Sequence, residues 1–83
     1  MEKRIAAISV MVEDPSSVEA LNSLLHSYAP YILGRMGIPY REKGLNIICL
    51  AIDAPLDVIN TLTGKLGRLS GVSAKAVYSR GTN

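Results

Sequence analysis

Little in this sequence offers itself to reactive chemistry. Among 83 residues there is one cysteine and one histidine. Cys49 alone excludes an intrachain disulfide, and one His with one Cys cannot supply the three or four soft ligands of a dedicated metal site. Phe and Trp are both missing, so a stacking platform for bases would rest on four tyrosines. Charge is scarce too. Nine Lys and Arg stand against seven Asp and Glu, a net +2, and the basic residues are scattered, with Lys3-Arg4 the longest cluster. That balance is too weak to imply nucleic-acid binding by itself. No apolar run approaches the roughly 20 residues of a membrane span. Ile5 to Val12, interrupted by Ser9 and followed by Glu13-Asp14, does not read as a secretion signal. The unpaired cysteine agrees with a reducing interior, so the cytoplasm is the expected location.

A chain of this length is expected to form one domain, residues 1–83. Such a chain buries only roughly 60% of the surface its unfolded form exposes, which leaves a thin stability margin. Small domains answer with disulfides, metals or partner subunits. The first two are excluded above, and a partner subunit remains. The apolar flanks of Cys49 point to a buried thiol acting as a small hydrophobe.

What is present in quantity is short apolar runs. Residues 3–12 carry the β-branched content and length of a strand, with Ala6, Ile8, Val10 and Val12 on one face and Ile5, Ala7, Ser9 and Met11 on the other. Helix-start chemistry follows. Either Asp14 caps with Pro15 at the first helical position, or Ser16 and Glu19 form a capping box. Val18, Leu21, Leu24, Leu25 and Tyr28 recur at helical spacing, and Pro30 ends the helix. Tyr31 to Tyr40 reads as a strand in which Gly34 and Gly37 mark a bulge or a close backbone approach and Pro39 suits an edge. Beyond the polar turn Arg41-Glu42-Lys43-Gly44, Leu45 to Ile52 reads as a central strand buried on both sides. Asp53-Ala54-Pro55 starts a second helix with a core stripe of Val58, Ile59, Leu62, Leu66 and Leu69, stopped at Gly71. Val72 to Ser79 is the last strand, and Arg80 to Asn83 a frayed tail. The order βαββαβ predicts an α+β, ferredoxin-like sandwich: a four-stranded antiparallel sheet with both helices on one face.

That architecture leaves one sheet face uncovered, and a monomer would normally make it polar. In the first and third strands both faces are mostly apolar, which marks an interaction surface. Self-association, most simply a symmetric dimer, is the preferred expectation. The competing one has residues 31–43 fold over the open face within one chain.

Two stretches stand out as sites. Gly64 and Gly67 lie opposite Leu62 on the second helix, and each costs roughly 1 kcal/mol relative to Ala in an exposed helix. A bare backbone permits close approach, with Lys65 and Arg68 beside it to meet an anion. A fray or kink at Gly64 is the plainer explanation. In the second stretch, Gly34 to Tyr40, Arg35 offers a planar fork to a carboxylate or phosphate. Met36 offers an adaptable apolar contact, Gly37 bare backbone, and Tyr40 a ring and a hydroxyl. An irregular edge strand with a solvated arginine explains the same residues. No catalytic set is visible. His26 reads as a surface histidine, Asp53 and Asp57 as helix-start acids, and the glycines match no phosphate-loop fingerprint.

The stretches Gly34-Arg35-Met36-Gly37-Ile38-Pro39-Tyr40 and Leu62-Thr63-Gly64-Lys65-Leu66-Gly67, with Gly71-Val72 following, resemble a family of small bacterial proteins called iron-only hydrogenase system regulators, also described as transcriptional regulators. The family is similar to ACT domains and to the C-terminal domain of the nickel-responsive repressor. The resemblance implies an ACT-like fold, assembly into dimers or tetramers, and sensing of a small-molecule effector at subunit interfaces. Two features of those relatives have no counterpart here: the nickel ligands, several histidines and a cysteine, and the glycine after the first strand, where this chain has Asp14-Pro15-Ser16-Ser17. The ribbon-helix-helix segment also has no counterpart, since the first strand begins almost at Met1, so direct DNA binding is not expected. The resulting expectation is a non-enzymatic, cofactor-free, homo-oligomeric regulatory module that senses a small ligand or docks a protein. Its working residues are Arg35, Met36, Gly37, Tyr40, Gly64, Lys65 and Gly67. A purely structural assembly protein is the alternative, and an enzyme with its site at an oligomer interface a third.

Overall fold

Strand alternation decides which half of the apolar content reaches the core. In the computed structural model, which describes residues 2–80, strand β1 (Lys3–Val12) buries Ala6, Ile8, Val10 and Val12 and turns Ile5, Ala7, Ser9 and Met11 outward. Asp14 then caps a single 3-10 turn, Pro15–Ser17, by accepting the Ser16 N–H. This is the first of the two expected starts; the Ser16 hydroxyl donates to Asp14 and forms no capping box. Helix α1 (Val18–Ser27) follows and buries Leu21 and Leu25. It ends ahead of a second 3-10 turn, Ala29–Tyr31, built on Pro30.

Strand β2 (Ile32–Tyr40) pairs with β3 (Leu45–Pro55), and the register slips between Ile32 and Gly34. The bulge expected of the glycines is therefore present at the head of the strand. Gly44, with φ +62°, closes the turn between them. β3 runs three residues beyond the expected end at Ile52. Asp53-Ala54-Pro55 belongs to the strand rather than to a helix start, because Ala54 continues the buried series Ile48, Leu50, Ile52 and pairs with Arg4 of β1. Helix α2 (Leu56–Gly67) buries Ile59, Leu62 and Leu66, with Val58 and Leu69 packed at the margin of the core. Gly71 lies in the turn past the helix, with φ +66°, and β4 (Val72–Tyr78) completes the sheet.

The strand order is β2-β3-β1-β4, every neighbouring pair antiparallel. The helices bury their apolar stripes against the even-numbered side chains of β1 and β3, which is the ferredoxin-like arrangement. β3 is central in the sheet, yet it is buried on one face only. Ile47 and Cys49 are half-exposed and Ala51 is exposed, because nothing among the described residues covers the odd-numbered face. Residues 31–43 do not fold across it; they occupy the β2 edge. The expected frayed tail falls mainly on residues 81–83, outside the described residues.

Candidate functional site

The open sheet face is built by register. Residues directly opposite in an antiparallel pair point to the same side. Met36 lies opposite Cys49, Ile38 opposite Ile47 and Tyr40 opposite Leu45. Cys49 in turn faces Ser9, and Ile47 faces Met11. On the far edge Val77 lies opposite Ala7 and Lys75 opposite Ser9. The result is an apolar band from β2 to β1, in which Met36 is 57% and Ile38 48% exposed. The charges on this face sit at its margins, on Lys3, Asp53 and Lys75. Cys49 belongs to this band. It is not the buried thiol expected from its neighbours, because strand parity points position 49 away from the helices.

The same register divides the Gly34–Tyr40 stretch. Arg35 lies opposite Leu50 and Gly37 opposite Ile48, both on the helix side, whereas Met36 and Tyr40 are on the open face. Arg35 therefore does not form one site with Met36. Its guanidinium reaches α1, where Nη2 donates to Asn22 Oδ1 at 3.3 Å. Between β2 and α1 lies a groove of about 230 Å³, with Arg35, Asn22 and Asn46 at its polar margin and Val12, Val18, Leu21 and Ile48 as its apolar floor. Asn22 and Asn46 are functional candidates that the sequence alone did not single out. Asn46 follows from strand parity, which puts it on the helix side opposite Pro39. Asn22 required the packing of α1 against β2.

Gly64 and Gly67 are both exposed, as expected. A Cβ at Gly67 would meet nothing within 4 Å, and one at Gly64 only Arg68 Nη2 at 3.8 Å. Helix α2 runs unbroken through Gly64 to Gly67, so no kink or fray interrupts it there. Lys65 turns back over the ring of Tyr28, 5.7 Å from its centre. Arg35 at the β2 margin and this α2 face, on the helix packed mainly against β4, are not brought together.

The turn after β1, where ACT domains carry their glycine, is filled from within. Asp14 accepts the N–H and hydroxyl of Ser16 on Oδ1 and the hydroxyl of Ser70 on Oδ2. These bonds hold its carboxyl below the ordinary range, the Ser16 hydroxyl contributing most. Ser17, buried, donates its hydroxyl to the Ser70 carbonyl. His26 and Cys49, the two soft-ligand residues, lie on opposite sides of the sheet, one on α1 and one on the open face. Among the described residues no helix is long and apolar enough to cross a membrane.

Residues 4–76 match the TM1266-like family, described as "Iron-only hydrogenase system regulator, putative". The chain belongs to this family. The structure of uncharacterized protein TM1266 from Thermotoga maritima superimposes with a TM-score of 0.91 and 38% identity, covering 95% of this chain and 100% of that one. No curated protein matches the chain in sequence. The resemblance read from the Arg35 and Gly64 stretches is thereby borne out, and the family is described as one of regulators.

Proposed function

We propose that this chain is a cytoplasmic regulatory module that works as a homo-oligomer joined through the open face of its sheet, and that it reads a small molecule or a partner protein rather than DNA. The observation that carries this reading is the uncharged apolar band running from Met36, Ile38 and Tyr40 on β2 to Met11 on β1. Apolar surface of that extent in water is unfavourable at roughly 25 cal/mol per Å². Its marginal charges leave the centre free for face-to-face packing of two sheets at about 10 Å. A second copy suits it because a two-fold axis needs only one self-complementary patch. The unpaired Cys49 within the band favours a reducing compartment.

Sedimentation velocity at micromolar concentration tests the assembly. A dimer or tetramer is expected, and Ile38→Glu, which sets a carboxylate within the band on its β2 side, is expected to give a folded monomer. A monomeric parent protein, or an Ile38→Glu variant with unchanged assembly, contradicts the reading. Duplex DNA is expected to produce no salt-dependent shift at physiological ionic strength.

A further inference from the structure

The groove between β2 and α1 has a feature that the open face does not explain. Gly37 points toward the helices, opposite Ile48, yet neither backbone nor packing requires a glycine there. Its φ is not positive, and a Cβ built on it would meet nothing within 4 Å. An edge strand favours a β-branched or aromatic residue at such a position. What glycine achieves is an empty groove: any side chain at 37 would project into the space above Ile48 and Leu21.

The walls of that space have a consistent chemistry. Arg35 stands at one side with no ion pair among the described residues, its guanidinium making a single long hydrogen bond to Asn22. The side-chain amide of Asn46 makes no hydrogen bond within the described chain. No acidic residue lines the groove, and its floor is aliphatic. A guanidinium fork with the Asn22 amide beside it matches a carboxylate, which accepts two parallel bonds. An aliphatic floor takes a short hydrocarbon body. With no carboxylate in the lining, an ammonium group has no counter-charge. A volume of about 230 Å³ admits only a small molecule.

We infer that the β2–α1 groove is a binding site for a small aliphatic monocarboxylate lacking an amino group. Its carboxylate sits on Arg35 with Asn22, and its hydrocarbon body lies over Ile48 in the space that Gly37 leaves open, with Asn46 at the far end of the groove. This names the effector class for the sensing role proposed above. Binding at the groove and assembly through the open face are read by different measurements, so either can fail alone.

The test is a titration of the full, 15N-labelled chain with 4-methylpentanoate, followed by the amide resonances. Saturable shifts are expected at Asn22, Arg35, Gly37 and Asn46. The uncharged analogue 4-methylpentanamide is expected to bind at least about tenfold more weakly, as loss of one charge-assisted contact implies. The amino acid leucine is expected to bind more weakly by a similar factor, because its ammonium group meets no counter-charge in the lining. Arg35→Gln is expected to weaken binding by a similar factor. Gly37→Val is expected to leave the fold intact, since its side chain enters open space, and to abolish the shifts. The inference is overturned by absence of saturable shifts at tens of millimolar ligand, by equal binding of the amide or of leucine, or by unchanged binding in Gly37→Val. A Gly37→Val variant that dissociates the oligomer while the carboxylate fails to bind the parent protein overturns it also, because the groove then holds a side chain of a second copy.

Discussion

Gly71 and Asp14 touch so closely that the loop after β1 and the turn before β4 form one unit. A Cβ added to Gly71 would stand 2.6 Å from the Asp14 Cβ and 2.9 Å from its backbone nitrogen. Next to this contact the Glu13 N–H donates to the Gly71 carbonyl at 2.7 Å. Glycine is needed twice over, for its φ of +66° and for the missing side chain. Gly71→Ala is accordingly expected to cost about 2–3 kcal/mol, strain and overlap together. Gly44→Ala supplies the comparison. Its φ is +62° but its Cβ would meet open space, so only the strain of about 1 kcal/mol is expected. Urea denaturation of both variants reads the difference; equal losses would show that the Asp14 contact is unimportant.

The carboxylate at this junction makes stability depend on pH. Three hydrogen bonds from Ser16 and Ser70 favour ionised Asp14 in the folded chain and lower its pKa. A depressed carboxyl stabilises the fold fully above its unfolded pKa of about 3.9, and the contribution drains as pH falls from there through the lower folded value. Asp14→Asn keeps a helix-capping side chain and removes the charge. The melting temperature of the parent protein is expected to exceed that of Asp14→Asn at neutral pH, with the gap closing below about pH 4. A gap independent of pH would locate the effect elsewhere than in the carboxylate.

The element order was legible in the sequence because each apolar run carries its own period, two in the strands and near 3.6 in α1 and α2. Strand parity separated Ala6, Ile8, Val10 and Val12 from Ile5, Ala7, Ser9 and Met11 correctly. Which set faces the helices depends on tertiary packing, and the run itself is apolar on both sides. The same limit explains Cys49, whose neighbours in sequence are hydrophobic while its own side of the strand is open. The end of β3 was misplaced because Asp53 and Pro55 are helix-start residues by local chemistry, a preference outweighed by the burial of Ala54. Arg35 and Met36, adjacent and both flexible, read as one site until register sent them to opposite faces. The β2–α1 groove was the least legible, since it joins Asn22, Arg35 and Asn46 from three elements.

Cys49 can report on what covers the open face. Within one chain its thiol is half-exposed in the middle of the apolar band, so a free monomer would react readily with a maleimide. In a face-to-face oligomer it is shielded. Labelling is therefore expected to be slow at high protein concentration, to accelerate on dilution, and to be fast at all concentrations in Ile38→Glu. A rate that does not vary with concentration would mean that the band stays open to solvent in the assembled protein.

The α2 glycines allow a sharper decision between a bare surface and a covered one. Gly64 lies on an exposed face of an unbroken helix, and an added methyl would meet only the end of Arg68 at 3.8 Å, an ordinary contact with a flexible side chain. Nothing among the described residues penalises alanine there. The substitution restricts the unfolded chain and removes the glycine penalty in the helix, so Gly64→Ala is expected to stabilise by about 0.5–1 kcal/mol. Gly67, at the last helical position, is expected to gain less. The stabilisation should persist at every protein concentration if α2 faces water, because the methyl then touches no second chain. If Gly64→Ala instead lowers the melting temperature only at concentrations where the protein is assembled, a neighbouring backbone lies against this face and glycine is there to admit it. Melting curves taken across a range of concentrations, compared with those of Ile38→Glu carrying the same alanine, distinguish the two without any ligand.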